Sequence, residues 1–404
     1  MNKGLKFGFI GLGQCGCNIA DEFSKLGYPA IAINTTKTDL AYLQNIPDDL
    51  KLIINDGIEG AGKNPEVGEQ ALIDHIDEVY ELIKQSFNNV NKIFVCAGLG
   101  GGSGSGMVVT LCKVLIEEQE SFNINGDCSI GAIVTLPSDI ESGRTKIVAL
   151  DTYSELSSLD GLTNVFVIDN QKMQKSFSVG IKSKYSFLNQ KMAVLLDTIN
   201  SIVTKSASVS FDSRDLETVL QHPGITIINE ITIDRISDLK EDGMLATLLT
   251  KGIKNSIFAD YGNTDINAVG AAFLFVTPKN KSGVIKEEKI EIMKQYAGNP
   301  FDVFYGIYET NNIKDESGSF MLILTGLDYD NITRIQELND SMEEVANLLS
   351  KKTKKKNAVK TNTKASDLLN QLKQKKPEVN KSDITNGNTR VSALDKIRDK
   401  KNKK

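Results

Sequence analysis

The chain has 404 residues, a formal net charge of −5 and a hydrophobic content of 40%. This length predicts two domains or one large domain with an appendage, and the apolar content excludes a wholly disordered chain. The sequence has two histidines, five cysteines without a C-x-x-C pair, no signal-peptide pattern and no apolar run of about 18 residues. It therefore argues against zinc sites, histidine triads and a membrane span, and predicts a cytosolic protein with reduced thiols.

The small net charge hides two regions of opposite sign. Residues 351–404 contain 18 basic and 5 acidic residues, a net charge of +13. Residues 1–350 keep the other 29 basic and 47 acidic residues, a net charge of −18. The basic tail predicts contact with an acidic partner, although a tail that only keeps the chain soluble is the structural alternative.

Short apolar runs alternate with helix-compatible stretches through the first part of the chain. The predicted strands are 5–10, 30–33, 51–54, 92–97, 128–136 and 164–168. The predicted helices are 14–26, 66–89, 103–120 and 142–160. This order predicts an α/β fold, with a Rossmann-like parallel sheet covered by helices on both faces.

A long, mostly apolar helical pattern over 185–206 predicts a buried central helix after this domain. A smaller α+β domain follows, with strands expected at 224–233, 266–277, 301–308 and 319–326. The predicted organisation is therefore 1–184 for the Rossmann-like domain, 185–209 for the central helix, 210–330 for the second domain, 331–350 for a C-terminal helix and 351–404 for a disordered basic tail.

The first predicted strand runs into Gly11-Leu12-Gly13-Gln14-Cys15-Gly16, a G-x-G-x-x-G motif that opens a helix. Such a loop can bring backbone N–H groups and the positive end of a helix to a phosphate. A dinucleotide-binding site would need an acidic residue at the end of the second strand, where Asn34-Thr35-Thr36 stand instead. This absence argues against NAD.

A second loop, 57–64, nearly matches a Walker A motif. It ends in Gly62-Lys63-Asn64, so the Mg²⁺-binding hydroxyl of that motif is missing. Pro65 follows, at the expected start of a helix. We therefore do not expect a Walker A ATPase.

The strongest motif is Gly98-Leu99-Gly100-Gly101-Gly102-Ser103-Gly104-Ser105-Gly106, between a predicted strand and a predicted helix. A flexible linker is the structural alternative, but linkers rarely join a buried strand directly to an amphipathic helix. Successive N–H groups, two hydroxyls and the helix dipole can hold a di- or triphosphate without a lysine. The loop therefore predicts an anion cradle.

These loops resemble those of the tubulin/FtsZ superfamily, and most closely those of its TubZ-type bacterial members. Residues 100–106 are similar to the signature loop G-G-G-[T/S]-G-[T/S]-G, and Gly13-Gln14-Cys15-Gly16 is similar to the tubulin form of the first nucleotide loop. Ala32-Ile33-Asn34-Thr35 and residues 60–68 resemble the second and third loops. The resemblance covers about residues 1–330 and implies a GTPase that binds GTP or GDP with Mg²⁺, forms filaments and hydrolyses GTP on polymerisation.

The resemblance assigns roles to individual residues. Ala61, Gly62, Lys63 and Asn64 would close over the terminal phosphate. Phosphate contacts and other nucleotide contacts are implied for Gly11, Gly13, Gln14, Cys15, Asn18, Asn34, Thr35, Gly98, Gly100, Gly101, Gly102, Ser103, Gly104 and Ser105. Ribose and base contacts are implied for Pro137, Glu141, Arg144, Asn170, Tyr185 and Asn189. An ordinary helix N-terminal acid is the structural alternative for Glu141, and a core aromatic is the alternative for Tyr185. No side chain is assigned as a direct metal ligand.

The catalytic residues implied by the resemblance are Asp212 and Asp215, which would enter the nucleotide site of the next subunit and position the attacking water. Two carboxylates three residues apart at a helix start share one face, and an ordinary N-cap is the structural alternative for Asp212. Ser210 stands where the family often has Asn, which predicts slower or altered hydrolysis. This arrangement implies a head-to-tail homopolymer, because a heterologous contact propagates as an open filament.

The tail decides between members of the superfamily. A basic end fits neither the short apolar–acidic peptide of a division FtsZ nor the acidic tail of a eukaryotic tubulin. We expect residues 351–404 to bind DNA or a DNA-bound adaptor, so that filaments in the bacterial cytosol segregate plasmid or phage DNA. A divergent FtsZ-like division protein or a phage-spindle protein is the alternative. Two apolar groups, one of them Val391/Leu394/Ile397, could dock as short helices in a partner groove.

Overall fold

Over the described residues, ten strands form one continuous sheet in the computed structural model. The structure describes residues 3–54, 60–123, 128–172, 181–241, 243–262, 266–311, 316–356 and 392–402. The strands are β1 (Phe7–Leu12), β2 (Ala30–Asn34), β3 (Lys51–Ile53), β4 (Lys92–Gly98), β5 (Ser129–Leu136), β6 (Leu162–Asp169), β7 (Gly224–Ile233), β8 (Gly270–Pro278), β9 (Asp302–Thr310) and β10 (Gly318–Leu327). Their spatial order is β3-β2-β1-β4-β5-β6-β7-β10-β8-β9.

Helices connect these strands and cover the sheet. Over the described residues they are α1 (Gly13–Lys25), α2 (Lys37–Ala41), α3 (Pro65–Asp74), α4 (Ile76–Ser86), α5 (Ser103–Glu117), α6 (Gly143–Ser157), α7 (Ile181–Ile202), α8 (Ser213–Val219), α9 (Met244–Lys254), α10 (Glu287–Tyr296), α11 (Thr333–Lys356) and α12 (Ala393–Asn402). None of the helices in this part of the chain has the length and apolar character required to cross a membrane.

The first six strands form the parallel, doubly wound sheet that the βαβα pattern predicts. Strands β1 and β5 are buried almost end to end, because helices cover both faces of the sheet. Phenylalanines fill this core: the Phe9 ring stacks on Phe23 of α1 and on Phe94 of β4. The chain reverses its winding between β1 and β4, so loops on either side of that point leave a crevice at the carboxyl ends of the strands.

The second half of the sheet is mixed. Strand β10 pairs antiparallel with β7 and β8, and β9 pairs parallel with β8. The two halves are joined where β6 pairs with β7, Asn164 with Gly224 and Val165 with Ile225, and where the end of β6 forms backbone hydrogen bonds with residues 257–259. The long helix α7 packs against α1 and β7, and the buried Asn200 amide binds the backbone of Leu5. A short strand seam, the central helix α7 and the packing of α11 on α6 therefore join the two halves.

Two helical predictions differ from the structure. The predicted helix 66–89 is two helices, α3 and α4, separated at His75, whose φ of −113° and ψ of 17° are not helical. The C-terminal helix continues to Lys356, and residues 393–402 of the expected disordered tail form α12. The prediction of disorder for the rest of the tail, residues 357–391, concerns a segment outside the described residues.

A buried lysine holds α8 to the edge of the sheet where β4 begins. Lys92 is 2% exposed, and its amine donates to Ser129 Oγ at 2.9 Å and to the Leu220 carbonyl at 2.8 Å. Leu220 is the C-cap of α8, where a cation is favoured by the helix dipole. Burial nevertheless lowers the pKa of Lys92 to about 7, because removing the ammonium from water outweighs the attraction of Cys128 and Glu217.

We predict that Lys92→Met removes part of the pH dependence of stability. Below about pH 7 the lysine is protonated in both states, and between about pH 7 and its unfolded pKa of about 10.4 the unfolded chain binds more protons. The unfolding free energy of the native chain should therefore rise over this interval, by at most about 1.4 kcal/mol per pH unit, relative to the variant. Urea unfolding at pH 7, 8 and 9 measures this difference.

Lys113→Met is the matched control, because Lys113 is exposed on α5. It should keep the native pH dependence. Parallel stability profiles for the native chain and Lys92→Met would show that Lys92 does not titrate in this range.

Candidate nucleotide-binding site

A cavity of ≈ 470 Å³ lies at the carboxyl edge of the parallel strands, at the point where the winding reverses. Residues after β1, β2, β4, β5 and β6 line it, together with the loop before α3 and the first turns of α7. This size suits a ligand of nucleotide dimensions. Loops that are far apart in sequence meet here because parallel strands end at one edge of a sheet.

The β1–α1 loop allows α1 to approach the sheet closely. Gly13 has a φ of +64°, a conformation that L side chains rarely adopt. A Cβ on Gly16 would lie 1.9 Å from the carbonyl oxygen of Cys96 on β4. The first turn of α1 can therefore face the cavity only because residue 16 has no side chain.

The β4–α5 loop is stabilised from within. Gly100 has a φ of +108°, and its N–H donates to Ser105 Oγ at 2.8 Å, so Ser105 closes the loop from behind. The N-cap of α5 is Gly102, which has no side chain to accept from the N–H groups of the first turn. These donors and the positive end of the helix dipole are therefore available to an anion.

The loop before α3 contributes Lys63, the one basic side chain among the described residues that line the cavity. Gly62 and Lys63 both have left-handed backbone conformations, with φ of 54° and 57°. The Lys63 amine lies 3.5 Å from Thr145 Oγ1. Asn64 lies outside the cavity lining and caps α3 by accepting from Glu66 N at 3.3 Å, with Pro65 at the first helical position.

An aspartate that the sequence did not single out links two of the predicted residues. Asp39 on α2 accepts from Gln14 Nε2 at 3.2 Å and from Asn34 Nδ2 at 3.1 Å. Thr35 Oγ1 is 2.7 Å from Ser103 Oγ, so the loop after β2 and the β4–α5 loop are also joined. Asp39 lies within α2, past the strand end where an acid was sought, so no motif pointed to it.

The other end of the cavity is formed by Glu141, Asn170, Tyr185 and Asn189. Glu141 Oε1 accepts from the N–H of Ser138 at 3.1 Å, which closes its own loop. Burial raises the pKa of Tyr185, so the phenol stays neutral at physiological pH. A half-buried aromatic beside two amides can stack on a flat ring and bind its polar edge.

Arg334 positions this end of the cavity from outside and was also missed. It is 3% exposed on α11, and its guanidinium donates to the Pro137 carbonyl and to Asp139 Oδ1, both at 2.8 Å. It thereby fixes the loop that bears Glu141. A lone arginine in the first turn of a helix is no sequence motif, so only the tertiary contacts identify it.

Most of the predicted nucleotide residues line this one cavity. They are Gly13, Gln14, Cys15, Asn18, Asn34, Ala61, Gly62, Lys63, Gly98, Gly100, Gly101, Gly102, Ser103, Gly104, Glu141, Asn170, Tyr185 and Asn189. The predicted residues outside the lining are Gly11, Thr35, Asn64, Ser105, Pro137 and Arg144. Lining residues that the sequence did not single out include Asp39, Thr135 and Thr145.

The predicted catalytic residues, Asp212 and Asp215, do not line this cavity. Asp212 and Asp215 form a capping box at the start of α8: Asp212 Oδ1 accepts from Arg214 N and Asp215 N, and Asp215 Oδ2 accepts from Asp212 N. Both carboxylates are thus engaged locally, as the N-cap alternative expects. One oxygen of each is not part of the box.

Residues 6–178 match the family model described as Tubulin/FtsZ family, GTPase domain. These residues are a GTPase domain of the Tubulin/FtsZ family. The match covers β1 to β6 and all the loops that form the cavity up to Asn170.

Curated relatives of this GTPase domain include tubulin-like proteins of two kinds. TubZ of Bacillus cereus is 29% identical over 252 residues, which are 57% of this chain and 56% of the relative. CetZ of Pyrococcus horikoshii is 28% identical over 309 residues, which are 74% of this chain and 80% of the relative. The chain thus spans little more than half the length of that TubZ relative.

The fold extends beyond the GTPase domain. A crystal structure of a GTPγS-form protofilament of Bacillus thuringiensis serovar israelensis TubZ superposes with a TM-score of 0.73 at 23% identity, covering 88% of this chain and 95% of that chain. The predicted tubulin-type fold, with its second α+β half and C-terminal helix, is therefore confirmed.

We predict that Gly100→Ala weakens nucleotide binding at least tenfold without unfolding the chain. A Cβ at this position would lie 2.6 Å from Thr145 Cγ2 and 2.7 Å from the Thr145 carbonyl, in a backbone conformation that disfavours side chains. The phosphate loop must therefore shift. Titration with a fluorescent GTP analogue should show at least a tenfold loss of affinity, while circular dichroism stays native.

Gly27→Ala is the matched control. Gly27 also has a positive φ, +80°, but a Cβ added there would meet no atom within 4 Å in the described part of the chain. This variant carries similar backbone strain away from the cavity and should bind the analogue normally. Equal affinities of the two variants would contradict the assignment of the loop.

Proposed function

We propose that this chain is a GTPase that polymerises head to tail and hydrolyses GTP at the contact between successive subunits. One observation carries the proposal: the cavity and the acidic pair Asp212/Asp215 lie at opposite ends of the same parallel sheet. The cavity is at the carboxyl ends of the strands, whereas both ends of α8 lie where strands begin. A Cβ on Gly4, which precedes β1, would lie 2.7 Å from Ser213 Oγ at the start of α8, and Lys92, the first residue of β4, binds the Leu220 carbonyl at its end. A strand of this length separates the two ends by roughly 20 Å.

This separation means that one subunit cannot complete its own site. Subunits stacked in one orientation, however, would bring the α8 end of one against the cavity of the next. Such a contact is heterologous and repeats without closing, so it builds a filament. Solved structures of TubZ include a protofilament and a two-stranded filament, which supports this arrangement for related proteins.

The charges of the cavity suit a nucleotide that arrives with a counter-ion. Lys63 is set against the carboxylates of Asp39 and Glu141, so the side chains of the lining do not neutralise a triphosphate. Backbone N–H groups and the N-terminus of α5 supply part of the attraction. Mg²⁺ would supply the rest. No three His, Cys, Asp or Glu side chains gather as metal ligands in the described part of the chain, so we expect phosphate oxygens to hold it.

In the proposed reaction the cavity end of the subunit binds the nucleotide, and the α8 end acts on the nucleotide of the neighbouring subunit. Tyr185, Asn170 and Asn189 bind a purine, which the family identifies as guanine. The loops at Gly62-Lys63 and 100–104 hold the phosphates. The carboxylate oxygens of Asp212 and Asp215 outside the capping box orient a water molecule for in-line attack on the terminal phosphate of the neighbouring subunit.

We predict that Asp212→Asn separates catalysis from capping. Asparagine is as good an N-cap as aspartate, so α8 should stay intact while the charge that orients water is lost. The variant should bind GTP and assemble, but release phosphate at least tenfold more slowly, so that polymer persists. Sedimentation and phosphate-release assays measure both effects. Glu217→Gln, a neutralised carboxylate on the same helix, is the control and should hydrolyse GTP normally.

Mixing two inactive variants tests the shared site directly. Gly100→Ala has a defective cavity with an intact α8, and Asp212→Asn has the reverse. If the site is shared, the mixture should recover hydrolysis, because the α8 of one variant completes the cavity of the other. A mixture as inactive as its components, or a specific activity that does not rise with protein concentration, would contradict the shared site.

We further propose that the polymer moves or positions DNA, with residues 351–404 as the coupling segment. The charge of +13 in this segment and the similarity to TubZ proteins support this role. The similarity to CetZ is of the same degree, so the coupling proposal depends mainly on the tail.

Deletion of residues 357–404, which removes 13 of the 18 basic residues of this segment, should leave filament assembly intact and strongly reduce co-sedimentation with DNA. This end-point keeps the whole of α11, which the sequence had placed only as far as residue 350. Because phosphate contacts release counter-ions, DNA binding by the full chain should also weaken steeply between 50 and 200 mM salt. Undiminished co-sedimentation of the shortened chain with DNA would place the coupling elsewhere.

A further inference from the structure

The last helix of the basic tail is packed against the body of the same chain. Helix α12 contacts α3, α4 and α5. Its Leu394 is 3% exposed and belongs to the main hydrophobic core, and Ile397 packs against the same core. The helix is capped by Ser392, whose Oγ accepts from Asp395 N at 3.1 Å.

Polar contacts reinforce this packing. Arg398 Nε lies 2.6 Å from Asp77 Oδ1, and Lys401 Nζ lies 3.5 Å from Asp77 Oδ2. This guanidinium holds the pKa of Asp77 below its usual range. Helix α3 ends at Asp74, three residues before Asp77, and Glu118, the C-cap of α5, interacts electrostatically with Arg398. Helix C-termini favour cations such as these.

The contacts come from a single stripe of α12. Leu394, Ile397, Arg398 and Lys401 are spaced i, i+3, i+4 and i+7, so they lie on one face of the helix. A ten-residue helix is marginal by itself in water, so its order depends on the surface that it covers. The apolar pair and the basic pair therefore match a surface that is both apolar and acidic.

We propose that the face formed by α3, α4 and α5 is a docking site for helix α12 of the same chain, and that docking withholds the basic residues of α12 from other acidic partners. The tail is then anchored at both ends, by α11 and by α12. This inference goes beyond the proposed function, because neither GTP binding nor filament formation enters it.

Hydrogen exchange of the full-length chain tests the docking. Amides of residues 393–402 should be protected in the native chain. Asp77→Asn should make them exchange about three- to fivefold faster, because half-exposed ion pairs are of modest strength. Leu394→Asp should remove the protection, because it would bury an unpaired carboxylate.

Glu78→Gln is the matched control for Asp77→Asn. Glu78 is the next residue of α4, it pairs with His75 rather than with α12, and its neutralisation changes the net charge equally. In this variant the amides of residues 393–402 should exchange at the same rate as in the native chain. Exchange of 393–402 in the native chain at the rate of an unstructured peptide, or equal protection in all four proteins, would overturn the proposal.

Two further measurements test whether α12 docks on its own subunit and whether docking withholds its basic residues. Protection that is the same at 1 and 50 µM protein supports docking within one subunit, whereas protection that rises with concentration would assign the surface to a second copy. On immobilised heparin, Asp77→Asn should elute at higher salt than Glu78→Gln, because its basic residues are released. Elution of the two variants at the same salt would overturn the proposal that docking withholds them.

Discussion

The whole site depends on three helices approaching their neighbours backbone to backbone. Gly16 of α1 faces the Cys96 carbonyl, and Gly106 of α5 faces the Pro65 carbonyl, at distances that leave no room for a Cβ. A Cβ on Gly68 of α3 would lie 2.5 Å from the Gly102 carbonyl oxygen, which is also too close for a side chain. These contacts bring the N-termini of α1, α3 and α5 together at the switch point, where their positive dipole ends can act on one bound anion.

The glycines of the loops therefore have two different tasks. Gly13, Gly62 and Gly100 adopt backbone conformations that side chains disfavour, and they shape the cavity. Gly16, Gly68 and Gly106 have ordinary backbones and serve only close packing. An anion site built in this way needs few basic side chains, so Lys63 is set against two carboxylates in the lining. Such a site depends on a counter-ion for the remaining charge. It also depends on a loop geometry that one added methyl group can disturb.

The parallel sheet also sets the distance between binding and proposed catalysis. The loops at one end bind, and α8 at the other end presents two carboxylates that its own capping box already engages. Lys92 makes this arrangement rigid, because one buried amine joins the first residue of β4 to the C-cap of α8. The negative body and the basic tail, which looked separate in the charge distribution, meet where α12 covers α3, α4 and α5.

The sequence by itself determined the parallel sheet and most of the cavity. Strands that are buried on both faces have continuous apolar sequences, which makes them recognisable. The predicted bounds of β7, 224–233, agree with the structure to the residue. Glycine motifs between a strand and a helix identified three loops because their spacing is local. The sequence also placed the second α+β half in order, since its strands alternate with turns.

Only the tertiary structure decided the features that depend on distant residues. Arg334 and Asp39 act through partners on other elements, so no local pattern marks them. The break at His75 interrupts a helical pattern without changing its apolar period. Helix α12 lies in a segment whose composition predicts disorder. The sequence marked Val391/Leu394/Ile397 as a group that could dock as a helix, but only the folded chain shows that Leu394 and Arg398 contact its own body. Local periodicity specifies elements, whereas pairing between elements is fixed only when the chain has folded.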